Sequence, residues 1–142
     1  MSDALQPLGV QKICEQSIDW ENDTIKLVLT ESDDAYDAAD EFLDDIAGTA
    51  VATATLDNCT VSVSGSKVVF DCDDETFSGL TGNAVASARV YKDTGSSATS
   101  PLLAWFDTDA DTSALSYTPN GNDATFTPGT DGLFYIECGD GA

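Results

Sequence analysis

The chain contains no histidine, a single methionine and only five Lys and Arg residues, set against 26 Asp and Glu, so its 142 residues carry a formal charge of −21. Each shortage excludes something. Nucleic-acid binding requires a cationic face that displaces counterions from phosphates, and five basic residues scattered along the chain cannot build one. An anionic membrane surface repels the chain for the same reason, and no apolar run approaches the roughly 18 to 20 residues that span a bilayer. The first twenty residues hold no basic segment followed by a long apolar one, so synthesis in the cytoplasm without a secretory leader is expected. Gly-x-Ser-x-Gly and Gly-x-x-x-x-Gly-Lys motifs are absent, and Cys14 and Cys138 have no recognisable base partner. A pair of carboxylates suffices for glycoside hydrolysis, but among 26 acids a candidate pair carries no information. A non-enzymatic protein is the expectation.

Apolar residues make up 42 % of the chain, enough for one globular core. Asp outnumbers Glu twenty to six, while Lys occurs four times and Arg once. Carboxylates as close in sequence as Asp33 and Asp34, Asp44 and Asp45, or Asp73, Asp74 and Glu75 repel one another over a Debye length of about 10 Å in about 0.1 M salt, which shrinks to about 3 Å near 1 M. Lysine, whose long stem exposes hydrocarbon, is scarce, as suits a surface kept soluble where salt strengthens apolar association. The composition is that of a protein from a hypersaline setting; the alternatives are an ordinary acidic protein or one that collects divalent cations.

Residues 1–20 read as an amphipathic or irregular arm, because Pro7 and Gly9 interrupt an early helix. Thr24–Thr30 alternates Ile25, Leu27 and Leu29 against Lys26, Val28 and Thr30, the pattern of a half-buried strand. An acidic helix is expected from Asp37 to Ile46, with Ala38, Ala39, Phe42, Leu43 and Ile46 on one stripe and Gly48 ending it. Strands are expected thereafter at 51–56, 60–64, 67–72, 85–92, 102–106, 124–127 and 133–138, separated by turn-rich stretches. About seven or eight short strands with one short acidic helix imply a mainly β, single-domain antiparallel β-sandwich or small barrel, with the β-rich domain over 21–138 and a tail at 139–142.

The segment from Cys59 to Cys72 allows a finer reading. A two-residue Gly65-Ser66 turn, glycine first as type II′ prefers, sets Ser64 opposite Lys67 and pairs Val63 with Val68, Val61 with Phe70, and Cys59 with Cys72. The cysteine pair falls at a close, non-hydrogen-bonded site with Cα atoms about 4.5 Å apart, near the short end of disulfide geometry. Val61, Val63, Val68 and Phe70 share the cysteines' face, which is therefore expected to be buried. Cys59 and Cys72 are then core neighbours, either as two thiols or as a disulfide that would close a loop of about 14 residues and contribute roughly 3 kcal/mol. A zinc site is poorly supported without a C-x-x-C pair or a histidine.

The order of segments resembles a family of small structural proteins of tailed viruses. The resemblance rests on Asn22-Asp-Thr-Ile-Lys-Leu-Val-Leu-Thr30, the acidic segment ending Phe42-Leu-Asp-Asp-Ile46, and then Lys67-Val-Val-Phe-Asp-Cys-Asp-Asp74, Ala88-Arg-Val-Tyr-Lys-Asp-Thr-Gly95 and Ala98-Thr-Ser-Pro-Leu-Leu-Ala104, and it covers roughly residues 17–138. It implies a small β-rich virion protein, similar to the cement or decoration proteins that sit on the lattice of the major capsid protein. The acidity, the four cysteines and the segment after Asp107 depart from the family pattern and fit a virus of halophilic, archaeal hosts. The resemblance further implies the major capsid protein as partner and a place on the capsid exterior, and because a small sandwich gains stability and avidity by oligomerising at symmetric lattice points, a homotrimer is expected. A vertex turret or tail-associated adaptor is the alternative within the virion, and a calcium-stabilised cell-surface binding module of a halophile is the alternative from another class.

Three sets of site residues follow. Asp107, Asp109 and Asp111 have the one-three-five spacing that opens a calcium loop, although Thr112 and Thr118 stand where the loop wants Gly and Glu; a solvated acidic loop is the alternative. Leu5, Leu8, Val10 and Ile13 of the acid-poor arm, with Trp20 beside it, are candidates for contact with a neighbouring subunit; closing this domain's own core is the alternative. Trp105 and Tyr117 are candidates for glycan stacking, against a role as core aromatics.

Overall fold

The computed structural model describes residues 4–46, 49–107 and 115–139. The fold is mainly β and antiparallel, a β-sandwich. All eight expected strands are present: β2 (Ile25–Thr30), β3 (Ala50–Thr55), β4 (Thr60–Ser64), β5 (Lys67–Asp71), β7 (Ser87–Lys92), β8 (Leu102–Phe106), β9 (Ala124–Phe126) and β10 (Phe134–Glu137). Two short ones join them, β1 (Ala4–Leu5) and β6 (Glu75–Phe77). One sheet has the order β1-β8-β7-β2-β3, a second β10-β5-β4, and β6 pairs with β9.

The core lies between the sheets. Ile25, Leu27 and Leu29 of β2, Ala88 and Val90 of β7, and Phe106 of β8 meet Phe70, Phe134 and Phe126 from the other side. Phe70 and Phe134 stack with centroids 4.7 Å apart, and Trp20 stands edge-on to both at 5.7 and 5.2 Å. The Trp20 indole donates to the Asp71 carbonyl at 3.1 Å, so this large side chain is buried without stranding its N–H.

The half-buried pattern expected of β2 is corrected by the other face of the five-stranded sheet. Val28, Tyr91 and Leu102 are buried there beneath Ile46, and Thr30 and Ser87 share a hydrogen bond of 2.6 Å. The cover is the acidic segment 31–46, and it is not the helix expected from Asp37 to Ile46; only a 3₁₀ turn forms, at Leu43–Ile46. Competing partners explain the difference. The Gln6 amide donates to the carbonyls of Asp37 and Asp40, both at 3.0 Å, the Asp45 carboxylate accepts the N–H groups of Glu41 and Phe42, and Asp37 accepts the N–H of Ala39. Aspartate offers the backbone such non-helical alternatives readily. Leu43 N–H then donates to Ser100 and Leu102 N–H to Glu41, which stitches the segment along β8.

The helix lies instead in the stretch expected to be an interrupted arm. α1 (Pro7–Cys14) starts with proline in its first turn, where no N–H partner is lost, and contains no acidic residue. Gly9 is what lets it dock: a Cβ there would stand 2.1 Å from the Leu102 carbonyl oxygen. Substituting Gly by Ala inside a helix ordinarily stabilises by about 0.5–1 kcal/mol. Here Gly9→Ala is expected to destabilise by at least about 1–3 kcal/mol, because backbone must shift; chemical denaturation that found the variant as stable as the parent would contradict this packing.

A candidate functional surface

The electrostatics of the chain are settled internally before any partner arrives. All five cations contact carboxylates: Lys12 with Glu41 at 2.8 Å, Lys26 with Asp93 at 2.8 Å, Lys67 with Asp131 at 3.0 Å, Lys92 with Asp23 at 3.0 Å, and Arg89 with Asp34 at 2.8 Å and Asp40 at 2.9 Å. Arg89 is fully buried. Its Nε and Nη2 form a bidentate pair with Asp34 at 3.0 and 2.8 Å, Nη2 also reaches Asp40, and Nη1 donates to Gln6 at 2.9 Å. The Trp105 indole donates to the Asp34 carbonyl at 3.0 Å. Burial is the main reason the Asp40 carboxyl is raised above its ordinary value, with Asp37 and Asp45 adding to it against the pull of Arg89.

The sequence-derived candidates distribute as follows. Trp20 is 3 % exposed, and Leu5 and Ile13 pack against the core, Leu5 within β1, whose register pairs it with Ala104. Trp20 is thus a core residue, the alternative reading, whereas Leu5 and Ile13 pack against the core yet stay half-buried, as Leu8 and Val10 do on α1. Trp105 is buried beside Tyr36, so it is a core aromatic. Tyr117 is half-buried and helps line a cavity of about 310 Å³, together with Leu29, Phe77, Leu80, Val85 and Phe126. No carboxylate, thiol or cation is among the described residues that line it. Asp107 directly follows β8 and its carbonyl accepts the N–H of Leu115 at 2.8 Å, whereas Asp109 and Asp111 lie outside the described residues. Among the described residues no three His, Cys, Asp or Glu side chains are grouped to hold a metal.

The hairpin has the expected register but not the expected burial. Ser64 pairs with Lys67, Val63 with Val68 and Val61 with Phe70, and Gly65 has φ +61 as the turn requires. Yet Val61 is 39 % and Val63 77 % exposed, so the face expected to be buried is covered only towards its base. β4 is the outer strand of its sheet, and its register sets exposed Val63 beside half-buried Val68, which pairs in turn with Ile136. At the base, Cys72 is buried and Cys59 half-buried, both as free thiols. Burial pushes Cys72 up to about 12 and Cys59 to about 11, with nearby carboxylates adding to it.

One surface stands apart in charge. From Thr49 to Phe70 there is a single acid, Asp57, in 22 residues, against 26 in the whole chain. This stretch is no interior run: β3 and β4 are the outer strands of their respective sheets, all of β4 is exposed, and β3 is exposed at Ala50, Thr53 and Thr55. The acid-poor run was legible in the sequence; that both its strands are sheet edges was not. The described residues contain no helix long and apolar enough to cross a membrane. No protein-family model matches the chain, and the curated proteins contain no match to it.

Two outcomes are expected. With a thiol reagent near neutral pH, exposed Cys14 and Cys138 should react at once, and Cys59 and Cys72 only on unfolding, since thiolate is the reactive form; four fast thiols would refute the geometry. The second concerns acid. Two backbone N–H groups hold the Asp45 carboxyl below its ordinary value, and Lys26 holds Asp93 below it; both contribute stability above the unfolded value of 3.8 that is lost as pH falls through the lower folded values. Asp40, being raised, works in the opposite direction, its contribution falling away as pH rises. In about 1 M salt, where surface repulsion is screened, the thermal midpoint of Asp45→Asn should differ most from that of the parent near neutral pH and converge on it as pH falls through the lowered folded value.

Proposed function

We propose that the protein is a non-enzymatic structural component of a tailed-virus particle, a capsid-decorating protein that meets the major capsid protein along its acid-poor β3–β4 edge and turns its carboxylates towards a saline medium. The observation that carries this reading is the partition of charge over the surface. A chain of −21 approaches a large assembly at least cost where it has few carboxylates to desolvate or repel, and Thr49–Phe70, whose single acid is Asp57, is an exposed stretch of that kind. The N-terminal arm supports such a contact less, since Leu5 and Ile13 pack on the domain's own core. The internal pairing of every cation supports the same reading, since it leaves specific attachment to shape, strand edges and apolar contact. A small domain repeated at symmetric lattice points stabilises a shell through many weak contacts acting together.

Copy number and attachment test it. Quantitative mass spectrometry of purified particles should find hundreds of copies; tens would assign the protein to a vertex turret or tail adaptor instead, and none would remove the virion reading. Thr53→Glu, which sets a charge on exposed β3, should weaken binding to shells stripped of the protein by about tenfold or more, whereas Asp44→Asn on the acidic cover should leave it unchanged. Equal binding by both variants would place the contact elsewhere.

A further inference from the structure

The base of the β4–β5 hairpin holds two thiols that the proposed role does not use. Thr60 pairs with Asp71 in the ladder, so Cys59 and Cys72 stand opposite each other one step further on. Beyond them the strands stay joined, because the Asp73 N–H donates to the Asp57 carbonyl at 3.0 Å and the Asn58 amide donates to the Asp73 carboxylate. The two cysteines are therefore held between fixed points on both sides. The closing pair of a two-residue turn, Ser64 and Lys67, is hydrogen-bonded, and bonded and non-bonded pairs alternate along the ladder. The cysteine site is then a non-hydrogen-bonded one with Cα atoms about 4.5 Å apart, within the span of about 4.4–6.8 Å that a disulfide bridges. Opposed residues point to one face of the sheet, here the face of buried Phe70, and Cys59 packs against the core cluster that contains Cys72. Cys138 is no rival for either: its N–H donates to Ser66 in the turn, at the opposite end of the hairpin, about 20 Å along the strand from Cys72.

We propose that Cys59 and Cys72 are a disulfide site, a staple that closes the hairpin at the end opposite its turn, and that the staple is set only while the chain folds. Two protons and two electrons must leave the pair, and a low-molecular-weight disulfide of the glutathione class takes them. The Cys59 thiolate attacks one sulfur of that oxidant and expels a first thiolate. The Cys72 thiolate then attacks the Cys59 sulfur of the mixed disulfide and expels the second, and the two protons pass to the two leaving thiolates. Both attacks need a thiolate beside an accessible sulfur. In the folded domain Cys72 is buried, Cys59 is half-buried, and Asp57, Asp71, Asp73 and Asp74 surround them with negative charge, so neither thiolate forms readily. The same shielding protects the bond once made, since a reductant must reach the same sulfurs. A chain folded among reductants therefore keeps two thiols and one folded among oxidants keeps the staple, so the state of the pair records the conditions of folding. The ring closed by the bond has about 14 residues, and β4, which pairs with β5 alone among the described strands, is the strand that gains. The inference stands on the fold and does not depend on attachment to a capsid.

The test uses the full chain carrying Cys14→Ser and Cys138→Ser, both at exposed positions. Refolded from denaturant with oxidised glutathione, this variant should show no alkylatable thiol when unfolded, and a non-reducing digest should contain the Cys59 and Cys72 segments as one linked species. The same oxidant added to the folded, reduced variant should form the bond at least about tenfold more slowly than refolding does, and reduction of the folded, oxidised form should be comparably slow. At equal denaturant the oxidised form should have an unfolding constant about a hundredfold below that of the reduced form, a difference that Cys59→Ser should abolish. Two alkylatable thiols after oxidative refolding, a bond that forms as fast in the folded protein, or a link without gain in stability overturns the proposal. So does a bridge, in the unsubstituted chain, from Cys59 or Cys72 to Cys14 or Cys138 in place of the one between them.

Discussion

The fold turns on one buried cation. Arg89, the chain's single arginine, sits in β7 on the outer face of the five-stranded sheet and gathers Asp34, Asp40 and Gln6 around it. Those partners come from the acidic cover and from the link between β1 and α1, so one guanidinium fastens both segments to the sheet. Removing one partner of a buried pair costs about 3–5 kcal/mol, because a charge is left behind without water. A domain of this size has about 5–15 kcal/mol in total. The second hydrophobic cluster, beneath Ile46, depends on the same cover, and so does the burial of Trp105.

That constraint also explains why a strongly acidic segment lies against a sheet at all. Its backbone is bound by Gln6 and by its own aspartates, its carboxylates divide between Arg89 inside and solvent outside, and little is left that favours a helix. The remaining cations work similarly on the surface, each held against a carboxylate. Exposed pairs of that kind contribute little individually, about 0–1 kcal/mol. Their consequence is mainly for recognition: positive charge is consumed within the chain, and neutral strand edges become the distinguishing surface.

Much of the β framework was legible locally. Alternation in β2, the Gly65-Ser66 turn and the apolar run of β8 depend on neighbours a few residues away, and strands and hairpin register followed from them. The misreadings share another origin. Pro7 and Gly9 look like helix breakers until proline stands in the first turn and glycine lies against the Leu102 carbonyl. Asp37–Ile46 has helical periodicity, but Gln6, 31 and 34 residues from Asp37 and Asp40, and Arg89, 49 residues from Asp40, claim its polar groups. Val61 and Val63 alternate like core residues, yet whether a hairpin tip is covered depends on how far the opposing sheet extends.

By itself the sequence determined the mainly β class, most strand positions, the hairpin register, the net charge and the acid-poor stretch from Thr49 to Phe70. These follow from side-chain periodicity, turn chemistry and counting, all of them short-range or additive. Tertiary structure alone decided that the N-terminal segment packs on the core, that the acidic segment is a cover pinned by Arg89, and that the acid-poor stretch forms the edges of two sheets. Each of those depends on which distant groups compete for the same hydrogen bonds and the same buried surface, and no local pattern records that competition.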